Sequence, residues 1–266
     1  MDDQYRALFS RNIGLFTEEE QDVLSKSTIS IAGVGGVGGL AAERLIRLGV
    51  GHLKITDPGY FEESNVNRQF GSSMLNLGQN KADVVYKQIK VINPQTQIFH
   101  SDAGIRDEKD ANIFADDSDF VIDAMDHGLF KQSILLQRAA RHRGIHYLFT
   151  AAIGFGVIAA VFDPEGITLE EYNGLPVDVD INDPAKLMVS MDKILPVIPS
   201  YAKDMNMLQE IINGKRPVPT NSIGAGLAAI FAASEATNVI LGKDVPKAPN
   251  YTYLDLVDRR LVTQPI

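Results

Sequence analysis

The chain has 266 residues, with 25 Lys and Arg residues against 34 Asp and Glu residues, and it contains no cysteine. This length can bury a full hydrophobic core, and the net charge of −9 argues against a nucleic acid as the main partner. The lack of cysteine excludes disulfides, a cysteine-ligated zinc site and a thiol nucleophile.

The first 27 residues predict a peripheral helical segment. Thr17-Glu18-Glu19-Glu20 has the pattern of a capping box, in which a threonine hydroxyl and a glutamate carboxylate satisfy free N–H groups at a helix start. No basic stretch followed by an apolar stretch marks a signal peptide, so we expect a cytoplasmic protein. The most apolar window, Ile223–Leu241, includes Glu235, and we expect a buried or interface helix there rather than a membrane span.

Residues 28–57 have the pattern of a nucleotide-binding unit. The apolar run Ile29–Ala32 predicts a buried strand, and a helix followed by the strand His52–Thr56 leads to Asp57. Between the first strand and the helix lies a match to G-x-G-x-x-G, formed by Gly33, Gly35, Gly36 and Gly38. Such glycines let the backbone approach a phosphate at a helix N-terminus, and an acid at the position of Asp57 can accept ribose hydroxyls. The pattern predicts nucleotide binding without identifying the nucleotide; the alternative is a structural tight turn.

The remainder of the first half alternates between helices and strands. A polar loop over 58–78 precedes a helix predicted for Lys81–Ile92, and Asp107 caps a further short helix. Four more strands are predicted: Thr96–His100, Phe120–Asp123, His146–Ala151 and Phe155–Phe162. This alternation predicts an α/β fold, a Rossmann-like, mostly parallel sheet with flanking helices. Because ligands of such sheets lie beyond the carboxyl ends of the strands, one crevice would hold the glycine turn, Asp57 and Asp126.

We divide the chain into an N-terminal helical segment (1–27), a nucleotide-binding α/β core (28–166), a crossover segment (167–220) and a C-terminal part (221–266). The last part adds a helix and closing antiparallel strands to the same domain. The crossover segment, with helical stretches predicted near 184–194 and 201–213, is interpreted either as an insertion that carries specificity or as an ordinary surface excursion.

Charged residues next to the predicted crevice bear on which nucleotide binds. A dehydrogenase needs only the 28–57 unit for its cofactor half, whereas this chain adds Arg68, Lys81, Asp123 and Asp126. Arginine grips phosphate through its planar fork, lysine acts as a point charge, and aspartate is a natural oxygen ligand for Mg²⁺ beside a triphosphate. Each residue alone also fits a structural or solvated role, but together they favour a triphosphate site over a nicotinamide site.

These residues occur in motifs that resemble those of the ThiF/MoeB/HesA family, the ATP-dependent adenylyltransferases related to ubiquitin-activating enzymes. The motifs that carry the resemblance are the glycine turn, Asp57, Ser64-Asn65-x-x-Arg68-Gln69, Gly78-x-x-Lys81, Ile92-Asn93-Pro94 and Ile122-Asp123-Ala124-Met125-Asp126. The resemblance covers residues 5–162 well and 220–262 loosely.

The resemblance implies a role for each matching residue. The glycines and Asp57 would hold the nucleotide, Asn65, Arg68 and Lys81 would contact phosphates, and Asp126 would place Mg²⁺. Arg11 would reach the active site of the partner subunit in a homodimer. The implied reaction is attack of a substrate carboxylate on the α-phosphorus of ATP, which gives an acyl-adenylate and pyrophosphate and needs positioning and charge neutralisation rather than a protein nucleophile.

The chain also departs from the family pattern. Without cysteine it can carry neither the zinc-binding motifs of many members nor a thioester relay. Gly59 replaces an acid that is common two residues after the ribose aspartate, and His127 stands where asparagine is frequent; His127 could contact substrate or phosphate or be a plain strand-end residue.

The carboxylate substrate stays open between a protein or peptide C-terminus and a small acid. Alternatives are a cyclodehydratase acting on threonylcarbamoyl-modified tRNA, an NAD-dependent oxidoreductase and a non-catalytic subunit. The −9 charge argues against the tRNA substrate.

Overall fold

An eight-stranded sheet runs through the centre of the computed structural model. The residues described are 2–126, 128–190, 193, 196–212, 215–216 and 218–266. The strands are β1 (Thr28–Ala32), β2 (His52–Thr56), β3 (Gln97–Ser101), β4 (Phe120–Asp123), β5 (His146–Ile153), β6 (Gly156–Phe162), β7 (Asn250–Asp255) and β8 (Arg260–Pro265). They lie in the order β3-β2-β1-β4-β5-β6-β7-β8. Neighbours from β3 to β5 pair in parallel and those from β5 to β8 pair antiparallel, which confirms the predicted fold class.

Helices connect most of these strands. They are α1 (Asp3–Phe9), α2 (Glu18–Lys26), α3 (Gly38–Leu48), α4 (Lys81–Ile92), α5 (Glu108–Ala115), α6 (Phe130–His142), α7 (Leu169–Tyr172), α8 (Met205–Ile212) and α9 (Ser222–Ile240). The capping box predicted at α2 is present, because the Glu20 N–H donates to the Thr17 hydroxyl and the Thr17 N–H donates to the Glu20 carboxylate. The helix predicted near 184–194 is wrong over its first part, where a short 3₁₀ turn, Pro184–Lys186, stands instead; residues 191, 192, 194 and 195 lie outside the described chain.

The helices cover both faces of the sheet. Apolar side chains of α2, α3, α4 and α9 pack on one face, and those of α5, α6 and α7 pack on the other. Every residue of β4 is buried as a result, as expected for a parallel strand enclosed on both sides.

The direction in which the chain crosses the sheet reverses at β1. From β1 the chain moves to β2 and β3 on one side, and β4 then pairs with β1 on the other side, with Ala32 beside Asp123. The Ala124 N–H donates to the Ala32 carbonyl at 2.9 Å, so the segments that leave β1 and β4 start together. Crevices at such reversals are where open α/β sheets bind ligands.

Helix α9 is long and apolar enough to cross a membrane by length and composition, and it is the one such helix among the described residues. Its small residues pack against the sheet and α3: Gly224, Ala225, Ala228, Ala229, Ala232, Ala233 and Ala236 are buried. These contacts are those of a core helix.

Two side chains of the segment between β6 and α9, Tyr201 and Asn221, hydrogen-bond to the turn between β5 and β6. The Tyr201 hydroxyl accepts the Phe155 N–H at 2.7 Å and donates to Asp255 at 2.7 Å. The Asn221 side chain donates to the Gly154 carbonyl at 2.9 Å. Tyr201 and Asn221 are therefore both attached to one turn, which lies beyond the carboxyl end of β5.

The close approach of α9 to this turn predicts opposite effects of two alanine substitutions in one helix. A methyl group on Gly224 would overlap the Gly154 carbonyl oxygen, whereas nothing lies within 4 Å of a methyl group on Gly226. We expect Gly224→Ala to lower the free energy of unfolding by about 1–3 kcal/mol. Gly226→Ala should raise it by about 0.5–1 kcal/mol through helix propensity. Urea unfolding measures both, and equal effects of the two variants would contradict the packing described.

Candidate functional site

The glycine-rich turn between β1 and α3 forms the floor of the candidate site. Gly33 has φ +84°, a conformation that glycine adopts without strain. A Cβ atom on Gly33 would lie 2.5 Å from the carbonyl oxygen of Ala124, and one on Gly38 would overlap the carbonyl oxygen of Gly33. The turn therefore folds back on itself and against the segment after β4, which explains why glycine stands at both positions.

Two side chains of the polar loop lie over the middle of this turn. A Cβ atom on Gly35 would lie 3.5 Å from Nε2 of Gln69, and one on Gly36 would lie 3.3 Å from Cγ of Arg68. The Gln69 Oε1 atom is buried and has no hydrogen-bond partner among the residues that the structure describes. The loop thus places a cation and an unsatisfied acceptor beside the phosphate-binding pattern.

Local hydrogen bonds shape the loop that carries Arg68. One guanidinium nitrogen, Nη1, donates to the Ser64 carbonyl at 3.0 Å and to the Asn67 side chain at 2.9 Å. Asn65 is buried, and its side-chain oxygen accepts the Glu62 N–H at 3.1 Å. Asn65 therefore supports the turn, and its predicted phosphate contact stays a prediction.

Asp57 connects the end of β2 to the glycine turn. Its carboxylate accepts the Val34 N–H and the Gly59 N–H, each at 2.8 Å, and only 8% of the residue is exposed. The two donors fix the orientation of the carboxylate while each oxygen keeps a lone pair for a further donor. This geometry fits the predicted ribose contact.

Asn80 is a site residue that the sequence analysis missed. Its side-chain nitrogen donates to the carbonyls of Asp57 and Gly59 at 3.0 and 3.1 Å, and its oxygen caps α4 by accepting the Asp83 N–H at 3.1 Å. It thereby ties the start of α4, and with it Lys81, to the segment after β2. The available signal was an asparagine directly before a predicted helix. Such an asparagine indicates a helix cap, but it does not predict the hydrogen bonds to the Asp57 and Gly59 carbonyls.

The segment after β4 carries Asp126 next to the glycine turn. Asp123 is buried and accepts the Met125 N–H at 3.0 Å, so it has a structural role, whereas Asp126 is exposed. The Asp126 carbonyl accepts the Leu129 N–H at 3.2 Å. The predictions made for His127 fall on a residue outside the described chain.

Arg11 does not join this site within its own chain. It is exposed in a short 3₁₀ turn, and the next residue, Asn12, donates to the Leu48 carbonyl at 3.3 Å. Leu48 ends α3, whereas the glycine turn lies at the start of that helix. Arg11 therefore lies near the opposite end of α3, and its predicted role could be performed only in another subunit.

The charges of the assembled site fit a nucleotide with several phosphates. Within the described residues, neither Arg68 nor Lys81 forms an ion pair, so two free cations stand around the turn of a protein whose net charge is −9. The same residues contain no group of three or more His, Cys, Asp or Glu side chains that could hold a metal. A magnesium ion here would take one oxygen from Asp126 and its other ligands from phosphates and water.

Comparison with known proteins places this architecture in a family. A profile of the ThiF family matches residues 9–265, nearly the whole chain. The protein belongs to the ThiF family. This confirms the resemblance inferred from the motifs.

Several curated ThiF-like relatives are moderately similar in sequence. The tRNA threonylcarbamoyladenosine dehydratase of Bacillus subtilis is 37% identical over 123 residues, 46% of this chain and 48% of that protein. The sulfur carrier protein ThiS adenylyltransferase of the same organism is 30% identical over 138 residues, 50% of this chain and 40% of that protein. The chain matches about half the length of these relatives or less.

Solved structures share the whole fold at low identity. The E. coli MccB structure with ATP covers 100% of this chain and 73% of its own, with a TM-score of 0.74 and 17% identity. The PaaA structure covers 100% of this chain and 75% of its own, with a TM-score of 0.73 and 19% identity. At these identities the likeness establishes the fold and nothing further.

Gly59, where we expect an acid in many ThiF-family members, lies between two site residues. A Cβ atom on Gly59 would lie 2.9 Å from Oδ1 of Asp57 and 3.3 Å from Nζ of Lys81. An acidic side chain would start in the space beside the Lys81 ammonium and compete for it. Glycine leaves that ammonium free for an anion from solution.

Proposed function

We propose that this ThiF-family protein is an ATP-dependent adenylyltransferase, which activates a carboxylate as an acyl-adenylate and releases pyrophosphate. The observation that supports the proposal is the contact of Asp57 and Arg68 with one glycine-rich turn at the reversal point of the sheet. Lys81 lies beside Asp57 and Gly59, and Asp126 directly follows the Ala124-Met125 segment that packs against Gly33. A triphosphate carries more negative charge than the diphosphate of NAD, so two cations that form no ion pair among the described residues favour ATP. The names of the ThiS adenylyltransferase and of other relatives agree with this reading.

In this proposal each residue works by binding or orienting. The backbone of the glycine turn and Asp57 hold the nucleoside, while Asn65, Arg68 and Lys81 neutralise the phosphates. Asp126 contributes the protein oxygen for Mg²⁺. Charge neutralisation at the α-phosphorus and alignment of the carboxylate supply the acceleration, since the reaction needs no protein nucleophile. With no cysteine in the chain, the activated carboxylate passes directly to its acceptor.

We further propose that the carboxylate is the end of a protein or peptide, or a small acid. Support comes from the relatives that are named as activating enzymes for SAMP, ThiS and ubiquitin-like modifiers. Structures of MccB with MccA provide a similar precedent at the level of the fold.

Calorimetric titration with Mg-ATP and with NAD tests the nucleotide assignment. We expect Mg-ATP to bind and NAD to give no heat. Lys81→Ala and Asp126→Ala should weaken Mg-ATP binding about tenfold or more, because each removes a charge that faces the phosphates or their metal. Lys26→Ala is the matched control, since Lys26 is exposed and paired with Asp22 far from the glycine turn. Binding of NAD without Mg-ATP would make the protein a dehydrogenase and end the proposal.

The position of Arg11 leads us to propose a homodimer with shared sites, in which Arg11 contacts the nucleotide of the partner subunit. We expect Arg11→Ala and Asp126→Ala homodimers each to bind Mg-ATP about tenfold or more weakly than wild type. A heterodimer of the two variants, purified through two different affinity tags, contains one complete site and should bind one nucleotide per dimer. Titration calorimetry gives this stoichiometry. A heterodimer that binds no nucleotide, or an Arg11→Ala homodimer that binds like wild type, would refute site sharing.

A second candidate is cyclisation of the threonylcarbamoyl group on tRNA, favoured by the 37% identity to the Bacillus subtilis dehydratase. Here the carboxylate belongs to the modified adenosine. We expect that tRNA carrying threonylcarbamoyladenosine, incubated with the protein and ATP, keeps its nucleoside mass, because a net charge of −9 opposes binding of a polyanion. Mass spectrometry of the digested tRNA measures the result. Loss of one water, absent with Asp126→Ala, would replace the first candidate by the second.

A further inference from the structure

The carboxyl group of Asp123 is enclosed just beneath the candidate site. Asp123 ends β4 and is 1% exposed. One oxygen, Oδ1, accepts the Met125 N–H at 3.0 Å, and the other, Oδ2, accepts the hydroxyl of Tyr147 from β5. Both oxygens therefore have protein partners, and the side chain points away from the solvent where a nucleotide would bind.

Packing holds the Tyr147 ring in the position from which it reaches Asp123. The residue is fully buried, and its ring meets that of Phe162 edge to face with centroids 5.8 Å apart. The hydroxyl lies 3.5 Å from the Ser133 carbonyl, a second acceptor. Because packing fixes the ring, the hydroxyl stays in place to donate its main hydrogen bond to Asp123.

The Asp123 carboxyl in turn sets the path of the backbone that leads to Asp126. Its bond to the Met125 amide closes a turn directly before Asp126. The backbone of Ala124 lies against Gly33 of the glycine turn. A change in this turn would therefore move Asp126 relative to the glycine turn.

The surroundings of Asp123 suit a hydrogen-bonding group better than a metal ligand. Burial raises the pKa of Asp123, opposed by hydrogen bonds from Ser133, Tyr147 and the Met125 amide. Burial, together with the nearby Asp123, also raises the pKa of Tyr147 well above its usual value. An oxygen ligand for Mg²⁺ needs an accessible carboxylate, and Asp126 is exposed whereas Asp123 is enclosed.

We propose that Tyr147 is a positioning residue of the nucleotide site. Its hydroxyl holds the Asp123 carboxyl, the carboxyl holds the Met125 amide, and the resulting turn presents Asp126 to the metal and phosphates of Mg-ATP. We name Tyr147, Asp123 and Met125 the turn clamp. This inference rests on the proposed function of the nucleotide site.

Four variants separate the clamp from general effects of substitution. Tyr147→Phe removes the hydroxyl and keeps the ring, and Tyr172→Phe is its control, because Tyr172 is a buried tyrosine of the same cluster whose hydroxyl forms no hydrogen bond in the described part of the chain. Asp123→Ala removes both contacts. Asp123→Asn can keep both: its oxygen accepts the Met125 N–H and its NH₂ donates to the Tyr147 oxygen, whose proton turns to the Ser133 carbonyl.

The clamp itself is tested without nucleotide, by hydrogen exchange of the peptide that contains Met125. We expect Tyr147→Phe and Asp123→Ala to speed exchange of the Met125 amide about tenfold or more, with Tyr172→Phe and Asp123→Asn close to wild type. Unchanged exchange in Tyr147→Phe would overturn the clamp. This result does not depend on what the site binds.

The consequence for the site is tested by titration with ATP in Mg²⁺ and in EDTA. Tyr147→Phe should keep the affinity measured in EDTA within about twofold and weaken binding in Mg²⁺ about tenfold, because Asp126 acts through the metal. Asp123→Asn should bind ATP with wild-type affinity both in EDTA and in Mg²⁺. If Asp123 were instead a metal ligand, Asp123→Asn would bind ATP more weakly than wild type in Mg²⁺.

The outcomes separate the two proposals. A wild-type protein that binds no ATP refutes the proposed function and the role of the clamp with it. A wild-type protein that binds Mg-ATP, together with a Tyr147→Phe variant of equal affinity, refutes the clamp alone. Equal weakening by Tyr147→Phe and Tyr172→Phe would show a packing effect and also refutes it.

Discussion

The close backbone contact between Gly33 and Ala124 is the constraint on which the candidate site depends. These residues follow β1 and β4, the strands between which the chain reverses its direction across the sheet. Any side chain at position 33 would separate the two segments, because even a Cβ atom would approach the Ala124 carbonyl to 2.5 Å. The contact lets the glycine turn and the segment that carries Asp126 occupy one end of the sheet.

The other groups are held around this contact mainly by neutral hydrogen bonds, which leaves the cations free. Asp57 is oriented by backbone amides, Lys81 by the asparagine that caps its helix, and Arg68 by carbonyl and amide oxygens. Had the same positions been fixed by carboxylates, the site would have lost the positive charge that it offers to phosphate. Gly59 has the same effect, because an acidic side chain at this position would pair with Lys81 in place of a phosphate.

Short-range patterns were enough to predict most of the elements and to propose the residues of the candidate site. Periodicity, glycine and capping residues act within one helix or strand, so the strands from β1 to β4 and helix α4 came within a residue or two of their predicted ends. The same patterns failed at the start of the stretch near 184–194, where a short 3₁₀ turn stands in place of the predicted helix.

Contacts between distant parts of the chain could not be predicted in this way. Asn80 reaches Asp57 across 23 residues, Tyr147 reaches Asp123 across 24, and Tyr201 reaches Asp255 across 54. No local pattern distinguishes these side chains from ordinary caps or core aromatics, because their partners are chosen by the assembled sheet. The sequence therefore proposed residues for the nucleotide site, and the structure added the distant side chains that hold the segments carrying them.

The attachment of Tyr201 and Asn221 to the turn around Gly154 has a consequence for how such a protein can diversify between these two residues. A loop that starts and ends at one fixed point transmits little of its own length or sequence to the rest of the fold. Each doubling of the length of a flexible loop costs only about 0.6 kcal/mol. Evolution or an engineer can thus exchange this segment for a longer or chemically different one beside the carboxyl ends of the strands, while the sheet and the glycine turn keep their positions.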